Sequence, residues 1–166
     1  MKRLTVFGGC DGAGKTSIRG IISSIRNDLG EFAEDGQEES FLEKGVSFTQ
    51  ETTLSGKKTV RTIRRAVDLG YSVRLYYVGI SSAEESLARI ANRVRKGGRD
   101  IPREDVIRRY ETRLDDLKNV LPYCNEVRLY DNENGFFEAA TYKNGRLYVM
   151  DNAPDWVIRL RESLGQ

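Results

Sequence analysis

The chain has 166 residues, 39% hydrophobic and 31% charged, enough for one domain over residues 1–166 with a sizeable core and too little for a second. With a mean hydropathy of −0.54, no run near the roughly 18 apolar residues of a membrane span, two cysteines and no histidine, the sequence excludes a spanning helix, a disulfide framework, His-based nucleophilic triads and His-containing zinc sites. A net charge of +2 falls short of the strongly basic balance of a nucleic-acid-binding domain, so nucleic acid is a disfavoured partner.

In chain order, Leu4, Val6 and Phe7 predict a strand that runs into a glycine-rich turn, Gly8 to Gly14, and Ile18, Ile21, Ile22, Ile25 and Leu29 then recur at helical spacing. The acidic segment Glu31 to Lys44 lacks clear periodicity, with a weak strand expected over Glu31 to Glu34; Val46 to Gln50 is a second strand. Val60, Ile63, Ala66 and Val67 mark a helix closed by Gly70. Tyr71 to Ile80 is almost continuously apolar, as expected of a strand buried on both faces at the centre of the sheet.

Ser81 or Ser82 can cap the next helix, whose Leu87, Ile90, Ala91 and Val94 form its apolar stripe and which Gly97 and Gly98 end as a hinge. Pro102 opens a further helix with Val106, Tyr110, Leu114 and Leu117 in one register. Glu126 to Tyr130 is a strand, and Asn144-Gly145 joins Phe137–Tyr142 to Arg146–Met150 as a hairpin. A last helix, Asp155 to Leu164, packs through Trp156 and Leu160. The alternation gives an α/β fold of three layers with a mostly parallel sheet and a C-terminal β-hairpin and helix, and Gly9-x-x-x-x-Gly14-Lys15-Thr16 between the first strand and helix makes the expected class a P-loop NTPase. Lys2 and Arg3 precede only Leu4 to Phe7, short of the about 7 to 15 apolar residues of a signal-peptide core. The expected location is therefore cytoplasmic.

Gly9-Cys10-Asp11-Gly12-Ala13-Gly14-Lys15-Thr16 matches G-x-x-x-x-G-K-[ST] between a predicted strand and helix, the context in which glycine amides and a helix N-terminus cradle phosphates. Gly9, Asp11, Gly12, Ala13, Gly14, Lys15, Thr16 and Ser17 form the expected nucleotide-binding set. Within it Lys15 reaches the β- and γ-phosphates of ATP and Thr16 ligates Mg²⁺. Cys10 lies in the loop, where modification of its thiol is expected to obstruct nucleotide entry. The segment Arg89 to Arg113 holds nine basic residues against four acids, a local positive field suited to a small polyanion. The strand Tyr71 to Ile80 ends without a Walker-B aspartate, and no Asn-Lys-x-Asp occurs, which disfavours a GTPase.

Four further blocks, Thr49-Gln50-Glu51-Thr52-Thr53-Leu54-Ser55-Gly56, Gly97-Gly98-Arg99-Asp100-Ile101-Pro102, Ile107-Arg108-Arg109-Tyr110 with Arg113, and Leu129-Tyr130-Asp131-Asn132, resemble the zeta toxin superfamily of P-loop kinases. The resemblance implies phosphorylation of a sugar hydroxyl of UDP-N-acetylglucosamine by ATP and Mg²⁺, with ATP and a small-molecule acceptor as partners and an antitoxin protein as a further one. It also implies a base at the strand end after the P-loop helix. Asp35 stands twenty positions beyond Lys15, about right for a helix and a short strand, whereas Asp28 is expected still on the helix; the alternative for Asp35 is an exposed acid in the run with Glu34, Glu38 and Glu39. By the same resemblance Glu51 and Thr52 contact substrate or the water shell of the metal, and Arg99 is the lid arginine.

At 100° per residue on a helix starting near Arg103, Arg109 and Arg113 border the buried face while Arg108 points away, so Arg109 and Arg113 are the expected phosphate contacts. Solvated charge along two helices is the competing reading of this cluster. Asp131 and Asn132 border the adenine pocket or form a plain turn, and Tyr76, Tyr77, Phe136 and Phe137 are expected in the core. Three other functions remain open at this point: a kinase for another small hydroxyl acceptor, a nucleotide-binding module without transfer, and, disfavoured by the modest net charge, direct 5′-kinase action on nucleic acid.

Overall fold

The computed structural model describes residues 1–166. The alternation of side chains in the first strand, β1 (Arg3–Gly9), sends Leu4 and Val6 into one apolar cluster and Phe7 into another, as the period of two requires. β1 leads through the glycine turn into α1 (Lys15–Ile25), whose Ile18 and Ile22 cover Phe7. Next come β2 (Glu31–Phe32), α2 (Glu38–Lys44), β3 (Phe48–Thr52), α3 (Lys58–Asp68) and β4 (Ser72–Gly79). The second half holds α4 (Ala83–Arg95), α5 (Arg103–Glu111), α6 (Arg113–Val120), β5 (Glu126–Asp131), β6 (Phe137–Lys143), β7 (Arg146–Val149) and α7 (Asp155–Ser163).

The strands form one sheet in the order β2-β3-β1-β4-β5-β6-β7, parallel from β2 to β5 and antiparallel at β6 and β7. β4 is its centre: Val73, Leu75 and Tyr77 join Ile63, Ala66, Leu117 and Leu160 on one face, and Tyr76 and Val78 join Ile18 and Ile22 on the other. Helices thus cover both faces, the three layers the sequence predicts. No helix is long and apolar enough to cross a membrane. The hairpin turn places Asn144 and Gly145 at positive φ, and Trp156, Val157 and Leu160 of α7 are buried in the larger cluster.

Several expectations need correction. The segment 31–44 contains α2, a seven-residue helix with Leu42 as its buried apolar anchor, too little for a periodic pattern to register. Asp28 lies beyond the end of α1, where Arg3, Arg26 and Arg74 surround its carboxylate, and hydrogen bonds from Arg26, then Arg74, hold its pKa well below the usual carboxylate range. The single helix expected across 103–117 is two. Thr112 sits between them at φ −91° and ψ 0°, its one hydroxyl proton shared between Asp116 Oδ2 at 2.7 Å and Arg108 O at 3.3 Å, and the bond back to Arg108 O is of the kind that bends helices. On α4 the buried positions are Ser86 and Ile90, while Val94 and Ala91 are exposed. Tyr76 and Tyr77 are buried, but Phe137 is exposed.

The glycine pair after α4 forms a Schellman cap rather than a free hinge. Gly97 N–H bonds Val94 O, Gly98 N–H bonds Arg93 O, and Gly97 takes φ +90°, the left-handed geometry this motif requires at its C′ position.

Candidate active site

β1 is flanked by β3 and β4, so the chain leaves its carboxyl end at the point where successive connections diverge, the place where open α/β sheets bind ligands. The loop after β1 enters α1 through Gly14 at φ +112°; no side chain caps the helix, and its first turn holds no acid. Uncapped first-turn amides and the helix dipole favour an anion there. A Cβ on Gly14 would come within 2.7 Å of Asn132 Nδ2 and 3.0 Å of Phe136, so both residue types and geometry fix the loop.

Lys15 folds over this loop, its Nζ donating to Gly9 O at 2.8 Å and Cys10 O at 3.2 Å. Burial lowers its pKa, with the Asp11 charge opposing. A cleft of about 400 Å³ at the helix start is lined by Gly12, Gly14, Lys15, Thr16, Ser17, Arg89 and Arg93. Asp11 is buried and pairs with Arg109, whose Nη1 lies 3.2 Å from Oδ1, while the Nε of Arg109 is buried with no partner. Cys10 is buried, and desolvation pushes its thiol up to about 11. That environment keeps the thiol protonated and shielded, so the expected obstruction through its modification is disfavoured.

Glu51, the penultimate residue of β3, lies beside Phe7 of β1. Its carboxylate accepts from Thr16 Oγ1 at 2.8 Å and pairs with Arg19 Nε at 2.9 Å, and Arg19 stacks on the Phe32 ring. A neighbouring open cleft of about 280 Å³ contains Asp35, Gln50, Glu51, Thr52 and Lys58 among its lining residues. The structure therefore brings Glu51 and Thr52 to one cavity with Asp35. Thr52 Oγ1 is already engaged with Thr59 Oγ1 at 2.9 Å. Asp35 is 94% exposed and ion-paired to Lys58 at 2.8 Å, and this hydrogen bond lowers its pKa.

Arg108 points outward and pairs with Asp105, whereas Arg113, across the Thr112 bend, stacks on Tyr110 and donates to Tyr110 O. Arg113 lines a separate cavity with Ser81, Tyr110, Trp156 and Arg159, so it and Arg109 do not share one surface. Arg99 is exposed on the segment between α4 and α5. Asp131 is buried and accepts from Trp156 Nε1 at 2.8 Å and Glu133 N–H at 3.1 Å; only Asn132 touches the loop, donating to Ala13 O at 3.0 Å. Phe136 packs beside Gly14 and the smaller cluster rather than deep in the core.

Sequence reasoning counted Arg89 and Arg93 as charge and gave them no place in the site. Arg89 donates to Gly12 O at 3.3 Å and Asn132 O at 2.7 Å, and Ser86 of the same helix donates to Asp11 O. Ser86, Arg89 and Arg93 fall at three- and four-residue spacing, one face of a helix. That polar stripe was the available signal.

The Zeta toxin family model matches residues 23–144. The chain belongs to the Zeta toxin family. The matched span begins after the phosphate loop, so the loop's assignment stands on its own motif and geometry. Over 69 residues the chain is 38% identical to an uncharacterized protein of Haemophilus influenzae, covering 42% of this chain and 49% of that one. Among solved structures, the AvrRxo1-ORF1:-ORF2 complex with ATP gives a TM-score of 0.60 at 16% identity, covering 99% of this chain and 63% of that one. The PezAT toxin-antitoxin system of Streptococcus pneumoniae gives 0.57 at 14% identity, over 83% of this chain and 72% of that one. The chain thus spans about half the length of the Haemophilus protein and under two thirds of the AvrRxo1 chain. At such identities these structures establish the shared fold of this zeta-toxin-family chain.

Proposed function

We propose that this chain transfers the γ-phosphoryl group of ATP to a hydroxyl of a small-molecule acceptor, with a UDP-N-acetylglucosamine-type sugar nucleotide as the acceptor class that membership of the Zeta toxin family favours. The observation that carries the reading is the uncapped start of α1 with the half-buried Lys15 folded over it and bonded only to carbonyls: a partly desolvated cation beside free amides is arranged for a phosphate chain. The ATP in the AvrRxo1 complex that shares the fold supports the same nucleotide.

Mg²⁺ fits the residues present. Thr16 Oγ1 and a Glu51 carboxylate oxygen stand 2.8 Å apart, an all-oxygen set with one carboxylate, and Mg²⁺ commonly completes such a set with waters and substrate phosphates. When bound, the ion neutralises charge on the β- and γ-phosphates. The chain's own contribution is placement: the amides and Lys15 hold the phosphates, Arg89, Arg93 and the lid arginine Arg99 supply positive charge around them, and Arg109 and Arg113 are retained as phosphate contacts after rearrangement of their present partners. The acceptor oxygen attacks the γ-phosphorus, its proton passes to Asp35, and the bond from the γ-phosphorus to the bridging oxygen breaks to release ADP.

ATP binding without transfer is the competing reading, favoured by the exposed, Lys58-paired position of Asp35. Likeness to the PezAT toxin-antitoxin system keeps an antitoxin-type protein among the proposed partners. Incubation with γ-labelled ATP, Mg²⁺ and UDP-N-acetylglucosamine decides the main question. The expected product is a labelled sugar nucleotide that the Lys15→Ala variant does not form; ATP binding with no product from this acceptor or from a panel of sugars and nucleosides selects the competing reading.

A further inference from the structure

β2 pairs with β3 only at Phe48 and Thr49. The chain from Ala33 onward then turns away, and Gln50, the next residue of β3, becomes the floor of the cleft that holds Asp35 and Glu51. Gln50 is 5% exposed, and its Oε1 is buried with no hydrogen-bond partner. Its neighbours in the lining are engaged: Glu51 with Thr16 and Arg19, Thr52 with Thr59, Asp35 with Lys58, and Glu38 with the amide of Gly36. An orphaned buried carbonyl is costly, and this one lies at the wall of an open cavity. The last side-chain torsion of an amide is soft, so the Gln50 amide can adjust to a partner that enters the cavity it lines.

The cleft's charge is lopsided. Four carboxylates, Glu34, Asp35, Glu38 and Glu51, face one ammonium, Lys58. A phosphate or carboxylate entering here meets net repulsion, whereas a hydroxyl, both donor and acceptor, matches an amide that is both.

We infer that Gln50 is the specificity-determining residue of the acceptor cleft: its amide hydrogen-bonds an uncharged, hydroxyl-bearing group of the acceptor, and the acidic lining turns away acceptors that are anionic at that end. This rests on the kinase reading for the identity of the acceptor, but its test reads binding without turnover, so absence of phosphoryl transfer and failure of this assignment are separate results. Gln50→Met keeps the length and removes the hydrogen-bonding atoms.

Calorimetric titration of the full chain with UDP-N-acetylglucosamine should show about tenfold weaker binding in Gln50→Met, the scale of one hydrogen bond. ATP affinity should be unchanged, and the thermal midpoint equal or higher because an orphaned polar group is gone. In the wild-type chain, saturation-transfer NMR should give a stronger signal for N-acetylglucosamine than for its 6-phosphate, a comparison that needs no variant. The assignment is overturned by equal affinities of wild type and variant, by loss of ATP binding or of the thermal midpoint in the variant, by preferential binding of the 6-phosphate, or by binding of neither sugar probe.

Discussion

At the scale of single residues the proposed base is Asp35, ion-paired to Lys58. A base must lose its proton before it can take another, and the Lys58 ammonium at 2.8 Å holds the Asp35 carboxyl below its ordinary 3.8. Activity that depends on the Asp35 carboxylate is therefore lost only as pH falls through that lowered value. Replacing Lys58 by Met removes the favourable charge, raises the carboxyl toward its ordinary range and moves the acid limb of the kcat profile to higher pH. Asp35→Asn should cost about 10² to 10⁴ in kcat, the usual worth of a general base. Measuring kcat against pH for wild type and Lys58→Met checks the assignment: an unmoved acid limb makes Asp35 a surface acid.

Among the elements, what was legible in sequence had a local cause. The phosphate loop is written in adjacent residues, Gly12 to Thr16, and β4 in its run of β-branched and aromatic residues. Helix α2 escaped because Leu42 and Phe41 are its only apolar residues and its other buried position is Glu38. Arg113 falls away from Arg109 because one helical angle cannot be continued through Thr112, where α5 ends and α6 begins. The role of α4 was hidden for a different reason. Its stripe Ser86, Arg89 and Arg93 has meaning only once β4 is known to lie beside β1, a tertiary fact that no periodicity contains.

That stripe makes α4 one wall of the cleft proposed to hold the nucleotide, which Arg89→Met tests against Arg108→Met. Arg89 loses hydrogen bonds to Gly12 O and Asn132 O together with its charge beside the cradle, and ATP should bind about 10- to 100-fold more weakly, as for one or two charge-assisted contacts. Arg108 pairs only with Asp105 on the exposed face of α5, so its variant should bind ATP as wild type does and match the small effects of surface ion pairs. Equal losses in both variants would point to diffuse electrostatics rather than a built wall.

For the molecule as a whole, the sheet brings together at the carboxyl ends of its strands pieces distant in sequence: the loop after β1, Glu51 at the penultimate position of β3, α4 after β4 and Asn132 after β5. A ligand seated there contacts several elements of the folded chain, and none of that arrangement exists in the unfolded one. Binding to the native state alone adds RT ln(1 + [L]/Kd), about 2.7 kcal/mol at one hundred times Kd. For a chain of this size that amounts to a rise of roughly 5–11 °C in the thermal midpoint. Lys15→Met separates the cradle from general stability, because it removes a half-buried cation whose pKa desolvation has already lowered. With a folded-state pKa below the unfolded 10.5, wild-type stability gains from Lys15 as pH rises through that interval, since the unfolded chain then holds the extra proton. The variant should lack that gain, keep or exceed the wild-type midpoint at pH 7, and show almost no rise when ATP and Mg²⁺ are added. Differential scanning calorimetry of both proteins with and without nucleotide reads all three, and a full nucleotide-induced rise in Lys15→Met would place the triphosphate somewhere other than the loop after β1.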